Sequence, residues 1–252
     1  MPKFLTHIEG TENLLAQGSP EWRELRMGRA TASSFDRILS EATGQWKTGR
    51  TKGTTGSAEK YAREVAVQRL LKEDTEKPID GLYWVERGKK EEPNAVKHYE
   101  TVRGRTTDAI GIIISDDGTR ACSPDRISTD RLWGVEIKVP SAAQHLQYMV
   151  EGPGADYRWQ VVGSILVSGF DGWDFVSYSP NLKEVIIPYR REDYLDDIEA
   201  LDRALIRFEA LVQEYCDIMK RDGIVEVLTG STRSDSEWQR MLEADSGMWA
   251  LG

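Results

Sequence analysis

Apolar residues recur with a helical period in some parts of the chain and form alternating or continuous β-like runs in others. The predicted helices cover about residues 19–26, 31–39, 57–71, 88–100, 141–150, 156–168 and 192–221. The predicted strands cover residues 109–115, 121–127, 132–139, 173–179 and 184–189. This order of elements predicts an α/β (α+β) fold, in which a mixed central β-sheet is flanked by helices.

The length of 252 residues allows one full hydrophobic core, and a single domain is predicted over residues 1–230. Residues 231–252 are interpreted as a C-terminal helical extension, in which Trp238, Met241 and Leu242 share one face. This extension either docks on its own domain or contacts a partner or a second subunit.

Two neighbouring strands carry a combination of charged residues that one catalytic centre could use. Glu136 and Lys138 share one strand face, because side chains alternate with a period of two. Asp125 ends up beside Glu136 if residues 128–131 form the turn of a hairpin. Carboxylate oxygens suit a hard divalent ion such as Mg²⁺, and a lysine can orient water or offset negative charge.

A simpler interpretation of Glu136 and Lys138 is a solvated charge pair on a polar strand face. The combination of Pro124-Asp125 at the end of the preceding strand with Glu136 and Lys138 is more specific than the charge pair alone. It favours a metal-dependent nuclease. The histidines His7, His98 and His145 lack metal-ligand spacing, so a carboxylate-bound metal is preferred to zinc.

The net charge of −9 is unevenly distributed. Residues 183–252 carry 9 basic and 16 acidic side chains, while the remainder is close to neutral. Local basic clusters that could contact phosphates include Arg23, Arg26, Arg29, Lys47, Arg50, Lys52, Arg87, Lys89 and Lys90. This distribution disfavours nonspecific coating of DNA but permits a basic groove within an acidic body.

Two cysteines are too few for a disulfide framework or a four-thiolate iron-sulfur cluster, so reduced thiols are expected. No apolar run approaches the length of a membrane span, and residues 1–10 lack the hydrophobic core of a signal peptide. A cytoplasmic location is therefore expected.

Six segments, in order along most of the chain, resemble the lambda exonuclease family, the YqaJ-type viral recombinase nucleases of the PD-(D/E)xK superfamily. They are residues 22–28 (WRELRMG) with 31–33 (TAS), 88–92 (GKKEE), 121–125 (ACSPD), 135–140 (VEIKVP), 157–160 (YRWQ) and 173–180 (WDFVSYSP). The resemblance implies a restriction-endonuclease-like core over most of the chain. It does not extend to the tail beyond about residue 230.

The resemblance also implies a set of active-site residues. Asp125, Glu136, the Ile137 carbonyl and Glu92 are implied as ligands of Mg²⁺, with two ions and with Mn²⁺ able to substitute. Lys138 is implied to assist the attacking water, and Gln160 to project into the site from the following helix. Because Glu91 is adjacent to Glu92, a shift of one position is the main alternative alignment.

For the DNA, the resemblance implies a terminal 5′ phosphate bound by Arg26, Ser33 and Ser123. An arginine fork and short hydroxyl donors suit a phosphate dianion. Val85 falls at the position of an apolar wedge that parts the duplex end, although core packing explains this residue equally well. A DNA-contacting residue in the loop at 41–56 stays unassigned among Lys47, Arg50 and Lys52.

The expected activity is a Mg²⁺-dependent 5′ to 3′ exonuclease on linear double-stranded DNA, which releases mononucleotides and leaves a 3′ overhang. The resemblance implies a homotrimeric ring, a phage single-strand annealing protein as partner, and a phage or prophage origin. Two alternatives stay open: a structure-specific or restriction-type endonuclease of the same superfamily, and a non-catalytic DNA-binding subunit.

Overall fold

The computed structural model describes residues 1–7, 14–39, 56–75, 83–154 and 157–221. The α-helices in these ranges are α1 (Pro20–Arg26), α2 (Ser57–Leu71), α3 (Tyr83–Arg103), α4 (Ala142–Glu151), α5 (Arg158–Ser168) and α6 (Leu195–Arg221). The β-strands are β1 (Lys3–Leu5), β2 (Ala30–Thr31), β3 (Thr107–Asp108), β4 (Ile112–Ile114), β5 (Arg120–Cys122), β6 (Arg126–Ser128), β7 (Trp133–Lys138), β8 (Gly172–Ser177) and β9 (Val185–Arg190).

The strands form two mixed sheets. The five-stranded sheet has the order β3-β6-β7-β8-β9, in which only the β7–β8 pair is parallel. The four-stranded sheet has the order β1-β4-β5-β2, with β2 parallel to β5. The predicted α+β class, with a mixed sheet flanked by helices, is confirmed. The second sheet was not predicted separately.

Helix α5 lies at the centre of the main hydrophobic core. Most of its residues are buried, and it contacts strand β5 of one sheet, strand β8 of the other, and helix α6. Helices α2 and α6 pack against each other in the same core. The buried residues of α6 follow the apolar stripe that the sequence predicts, at Ile198, Leu201, Leu205, Phe208 and Val212. The core therefore holds α5, and with it Gln160, in a fixed place.

Three elements differ from their predicted form. The segment predicted as a helix at 31–39 is the short strand β2 followed by a 3₁₀ turn, Ala32–Arg37. The strand predicted at 121–127 is two strands, β5 and β6, that belong to different sheets. Helix α3 begins at Tyr83, so Pro93 lies inside it and not in its first turn.

Gly134 of β7 gives the sheet room for a buried indole. A Cβ atom at this position would lie 2.2 Å from Cε3 of Trp173, which is itself fully buried. Gly134→Ala is expected to lower the free energy of unfolding by about 1–3 kcal/mol, since an overpacked core must shift. Urea denaturation measures this change.

Gly88→Ala is the matched control for this prediction. Gly88 lies within α3 and has open space around it. Alanine there is expected to raise the free energy of unfolding by about 0.5–1 kcal/mol, because it restricts the unfolded chain. Equal stability of Gly134→Ala and the wild type would contradict the packing argument.

In the part of the chain that the structure covers, no helix combines the length and apolar character needed to cross a bilayer. The predicted extension at 231–252 lies outside the described residues, as does most of the loop at 41–56 with Lys47, Arg50 and Lys52.

Candidate active site

The β6–β7 hairpin places Asp125 beside the strand that carries Glu136. The two strands pair antiparallel, with Arg126 opposite Val135, and the turn between them is residues 129–132. The amide of Asp125 donates to the Val135 carbonyl at 3.1 Å. Its carboxylate accepts from the amide of Ile137 at 2.5 Å. The predicted hairpin is confirmed, and it fixes Asp125 against the next strand at two points.

Glu136 is the meeting point of two other predicted residues. Its Oε1 lies 2.6 Å from Nζ of Lys138 and accepts a hydrogen bond of 2.7 Å from Nε2 of Gln160. Glu136 is only 4% exposed. Because Gln160 is in the first turn of α5, the helix and the strand converge on one buried carboxylate.

Glu92 of α3 brings a third carboxylate to the neighbourhood. Packing around this carboxyl group raises its pKa; Arg126 opposes the rise and the charge of Glu136 adds to it. Glu91, by contrast, accepts a hydrogen bond from Asn94 on its own helix at 3.1 Å. Of the two neighbours, Glu92 is therefore the one whose charge is linked to Asp125 and Glu136.

The cluster carries more negative charge than its own lysine neutralises. Burial raises the pKa of Asp125 well above its usual value, and the charge of Glu136 raises it further. Burial lowers the pKa of Lys138, but the charges of Glu136 and Asp125 reverse this effect and leave it above its usual value. Lys138 is therefore an ammonium ion, and the carboxylates repel one another across it.

The residues present fit a divalent metal ion by the chemistry of their donors. Asp125, Glu136 and Glu92 supply carboxylate oxygens, which suit Mg²⁺ or Mn²⁺. A cation there would relieve the repulsion that raises the pKa of Asp125. Among the described residues, no three His, Cys, Asp or Glu side chains converge as a ready-made metal-binding group. Glu136 instead contacts Lys138 and Asp125 accepts from the Ile137 amide, so both carboxylates would have to turn to bind a metal.

The three residues predicted to bind a phosphate meet around Trp22. The guanidinium of Arg26 stacks over the Trp22 ring, 4.4 Å from its centroid, and its Nη2 lies 3.5 Å from Oγ of Ser33. The indole Nε1 of Trp22 donates to Oγ of Ser123 at 3.0 Å and to the Gly111 carbonyl at 2.9 Å. Trp22 thus contacts Arg26 and Ser123 directly, and Arg26 in turn contacts Ser33.

Two residues near these groups were missed by the sequence analysis. Trp22 lies in a quoted motif, so its role as a link between Arg26 and Ser123 could have been suspected from that position. Tyr157 lies under Lys138, with Nζ 5.2 Å from its ring centroid, and packs at 4.9 Å on the ring of Phe175. Tyr157 also begins a quoted motif, YRWQ, but no periodicity connects it with a lysine nineteen positions earlier.

Val85, which was predicted to act as a wedge, is less exposed than the two residues before it. Val85 is half-buried at the start of α3, whereas Tyr83 and Trp84 are 78% and 65% exposed. Two large aromatic side chains thus face solvent next to Val85.

One protein family matches most of these segments. The sequence model of the YqaJ-like viral recombinase domain matches residues 21–171. This range contains both groups of residues described above: Arg26, Ser33 and Ser123, and the carboxylate cluster of Glu92, Asp125 and Glu136. Among curated proteins, none is significantly similar in sequence.

Three solved structures share the fold. An alkaline exonuclease (LHK-Exo) from Laribacter hongkongensis aligns with a TM-score of 0.67 at 24% identity, over 82% of this chain and 98% of that chain. Its complex with dAMP aligns with a TM-score of 0.62 at 23% identity, over 81% and 98%. A phage-related exonuclease from Haemophilus somnus 129PT aligns with a TM-score of 0.54 at 13% identity, over 79% and 98%.

Proposed function

Because the chain belongs to the family of YqaJ-like viral recombinase domains, we propose that it is a Mg²⁺-dependent 5′ to 3′ exonuclease of the PD-(D/E)xK type. Its substrate is linear double-stranded DNA, and its products are mononucleotides and a 3′ overhang for recombination by strand annealing. The similar Laribacter protein is an alkaline exonuclease that was solved with dAMP, a deoxynucleoside monophosphate, which supports this choice of product.

In this proposal Asp125, Glu136, Glu92 and the Ile137 carbonyl hold the metal, and two ions are expected. Bound Mg²⁺ polarises a phosphoryl oxygen and lowers the pKa of a coordinated water. Lys138, as an ammonium ion, offsets negative charge that develops on the phosphate and orients the attacking water. Gln160 holds Glu136 in place through its hydrogen bond. These groups come from the residue before β6, from β7, and from helices α3 and α5.

The position of Ser123 is the observation that carries the choice of a DNA end. Ser123 bonds to Trp22 beside Arg26, and it precedes Asp125 by two residues. Two residues of chain span at most about 7 Å. A phosphate bound by Arg26, Ser33 and Ser123 therefore lies next to the carboxylates, which suits cleavage close to a phosphorylated strand end.

The test is digestion of linear duplexes with and without 5′ phosphate in the presence of Mg²⁺, with product size followed over time. Mononucleotides released from the phosphorylated end are the expected result. Closed circular duplex cut as fast as linear duplex would overturn the exonuclease and favour an endonuclease. DNA binding without any cleavage in Mg²⁺ or Mn²⁺ would indicate a non-catalytic subunit.

Arg26→Ala is expected to lower kcat/KM on 5′-phosphorylated duplex by about 10- to 100-fold, the scale of losing a hydrogen bond to a charged group. The rate on a duplex with a 5′ hydroxyl should change little, because that end lacks the dianion. Steady-state kinetics on the two substrates measures this difference.

Arg23→Ala is the control for Arg26→Ala. Arg23 lies on the same helix, and its side chain donates to the Gly18 carbonyl. The control should keep the preference for a 5′ phosphate. An equal loss on both substrates in Arg26→Ala would remove Arg26 from phosphate recognition.

The proposal extends to assembly and DNA path by resemblance to the family. A homotrimeric ring around DNA, a phage single-strand annealing protein as partner, and action in the cytoplasm of a bacterial host are proposed. Val85 is proposed to part the duplex end, and one of Lys47, Arg50 and Lys52 to contact DNA. Mass measurement in solution tests the trimer.

A further inference from the structure

Asp174 of β8 is a carboxylate with no exposed surface, and its partners come from helix α3. Nε of Arg103 donates to Oδ2 at 2.9 Å, and Nη2 donates to Oδ1 at 2.7 Å. The hydroxyl of Tyr99 also donates to Oδ2, at 2.7 Å. Both oxygens of this buried group therefore bond to one helix.

We propose that Asp174 is a positioning residue that fixes helix α3, and through it Glu92, against the carboxylate cluster. The proposal rests on the proposed function, in which Glu92 is a metal ligand. In this role Asp174 acts only through the position of the helix, because its side-chain hydrogen bonds are to Tyr99 and Arg103.

The spacing along α3 supports this role. Tyr99 and Arg103 follow Glu92 by seven and eleven residues, close to two and three full turns, so all three share one side of the helix. A slip of one turn moves a helix by about 5.4 Å. Such a slip would separate Glu92 from Asp125 and Glu136.

The same anchor ties the helix to the strand that carries Glu136. Asp174 pairs in register with Val135, the residue immediately before Glu136. Ala95 and Tyr99 add apolar contacts with Val135 and other strand residues, and Arg87 and His98 add polar contacts with the Pro140 carbonyl and Glu184. Apolar packing tolerates small slides and rotations, whereas a two-pronged guanidinium–carboxylate pair has a fixed geometry.

Stability alone does not account for this ion pair. Taking the Asp174 carboxylate out of water offsets much of its attraction to Arg103, whose side chain is 33% exposed, and apolar replacements of buried pairs are frequently as stable. A pair that fixes the register of a helix supplies what apolar side chains do not. Asp174 and Arg103 therefore suit a function that depends on the exact place of α3.

The experiment compares Asp174→Asn with the wild type by calorimetric titration with Mn²⁺ and by duplex digestion in Mg²⁺. Asparagine has the same shape but forms a weaker pair with Arg103. We expect Mn²⁺ affinity and kcat each to fall by about 10-fold, as for outer partners of metal ligands. Tyr99→Phe removes one of the three hydrogen bonds to Asp174 and should give a smaller loss of about threefold. This variant tests the proposal if Asp174→Asn fails to fold.

Glu209→Gln is the matched control. Glu209 forms a two-pronged pair with Arg69 between α2 and α6, away from the carboxylate cluster. This variant should lower Tm but leave Mn²⁺ affinity unchanged. Asp174→Asn and Tyr99→Phe variants that behave like Glu209→Gln would overturn the proposal.

Combining Asp174→Asn with Glu92→Gln tests whether Asp174 acts through Glu92. In the Glu92→Gln background, Asp174→Asn should change kcat by less than about twofold, since the coupled effect is already lost. A full additive loss of about 10-fold would overturn the proposal.

Crystal structures of the metal-free wild type and Asp174→Asn keep this result separate from the proposed function. A displaced α3 supports the positioning role even if no DNA is cut, and an unmoved α3 overturns it. Absence of cleavage by the wild type, with α3 displaced in the variant, would reject the proposed function alone.

Discussion

Asp125→Asn is expected to lower cleavage of linear duplex by at least about 1000-fold, because a lost metal ligand removes several kcal/mol of transition-state stabilisation. The amide oxygen of Asn can still accept from the Ile137 amide, as the carboxylate does. The variant therefore keeps its shape and loses only charge. Single-turnover digestion in Mg²⁺ measures the rate without a contribution from product release.

The same change is expected to stabilise the metal-free protein. The pKa of Asp125 is raised in the folded state by burial and by Glu136. The folded chain thus holds this proton more tightly than the unfolded chain, so ionisation destabilises the fold at every pH above the ordinary value of an aspartate. Removing the charge should raise Tm in EDTA by roughly 2–4 °C at neutral pH, equivalent to about 1 kcal/mol.

Added Mg²⁺ should reverse this order of stability. The Tm of the wild type should rise when the ion binds the folded state, whereas the Tm of Asp125→Asn should rise only slightly. Asp130→Asn, in the turn of the same hairpin, is the control, because hydrogen bonds from Ser128 and the Leu132 amide lower the pKa of that aspartate. Asp130→Asn should keep full cleavage and gain no stability. A lower Tm of Asp125→Asn in EDTA would contradict the repulsion argument.

Lys138→Ala is the second large effect, with an expected loss of about 1000-fold in kcat, within the range for a positioned acid, base or charge-stabilising group. Lys138 is the cation that lies 2.6 Å from Glu136, and its ammonium state is reinforced by two carboxylates. The KM for DNA should change little, because the rest of the binding surface is intact. Steady-state kinetics with a DNA-binding measurement separates the two quantities.

Lys97→Ala serves as the control for Lys138→Ala. Lys97 is an exposed lysine on α3, so its loss removes the same charge from the protein without touching the cluster. Cleavage by this variant should match the wild type. Unchanged cleavage by Lys138→Ala would place the chemistry elsewhere in the chain.

The β6–β7 hairpin could be predicted because its signals are local. The period of two put Glu136 and Lys138 on one face, and the turn between β6 and β7 is built by neighbours, including the bond from the Leu132 amide to Asp130. The break between β5 and β6 was not predicted. Pro124 was the available signal, because proline cannot donate to a sheet ladder.

Helix α3 shows how a correct local rule can give a wrong boundary. Proline is favoured in the first turn of a helix, so Pro93 suggested a start near residue 88. The helix starts ten residues before Pro93, which is exposed and brings no N–H group to the helix. The apolar contacts of Ala95 and Tyr99 stabilise the helix around the proline.

Contacts between distant segments could not be read from periodicity. Trp22 and Ser123 are about a hundred positions apart in sequence, and Arg103 and Asp174 about seventy. Neither pair leaves a local pattern. The resemblance to a family named Arg26, Ser33 and Ser123 as a group, but the contacts of Trp22 with Arg26 and Ser123 emerged only from the fold.

The short link between β5 and β6 has a further consequence. Residues 123–125 cross from one sheet to the other, so Ser123 follows the end of β5 and Asp125 precedes the start of β6. Under the proposed function, the distance from the bound strand end to the severed bond is set by this link. Lengthening or shortening residues 123–125 would then change the size of the nucleotide unit that is released.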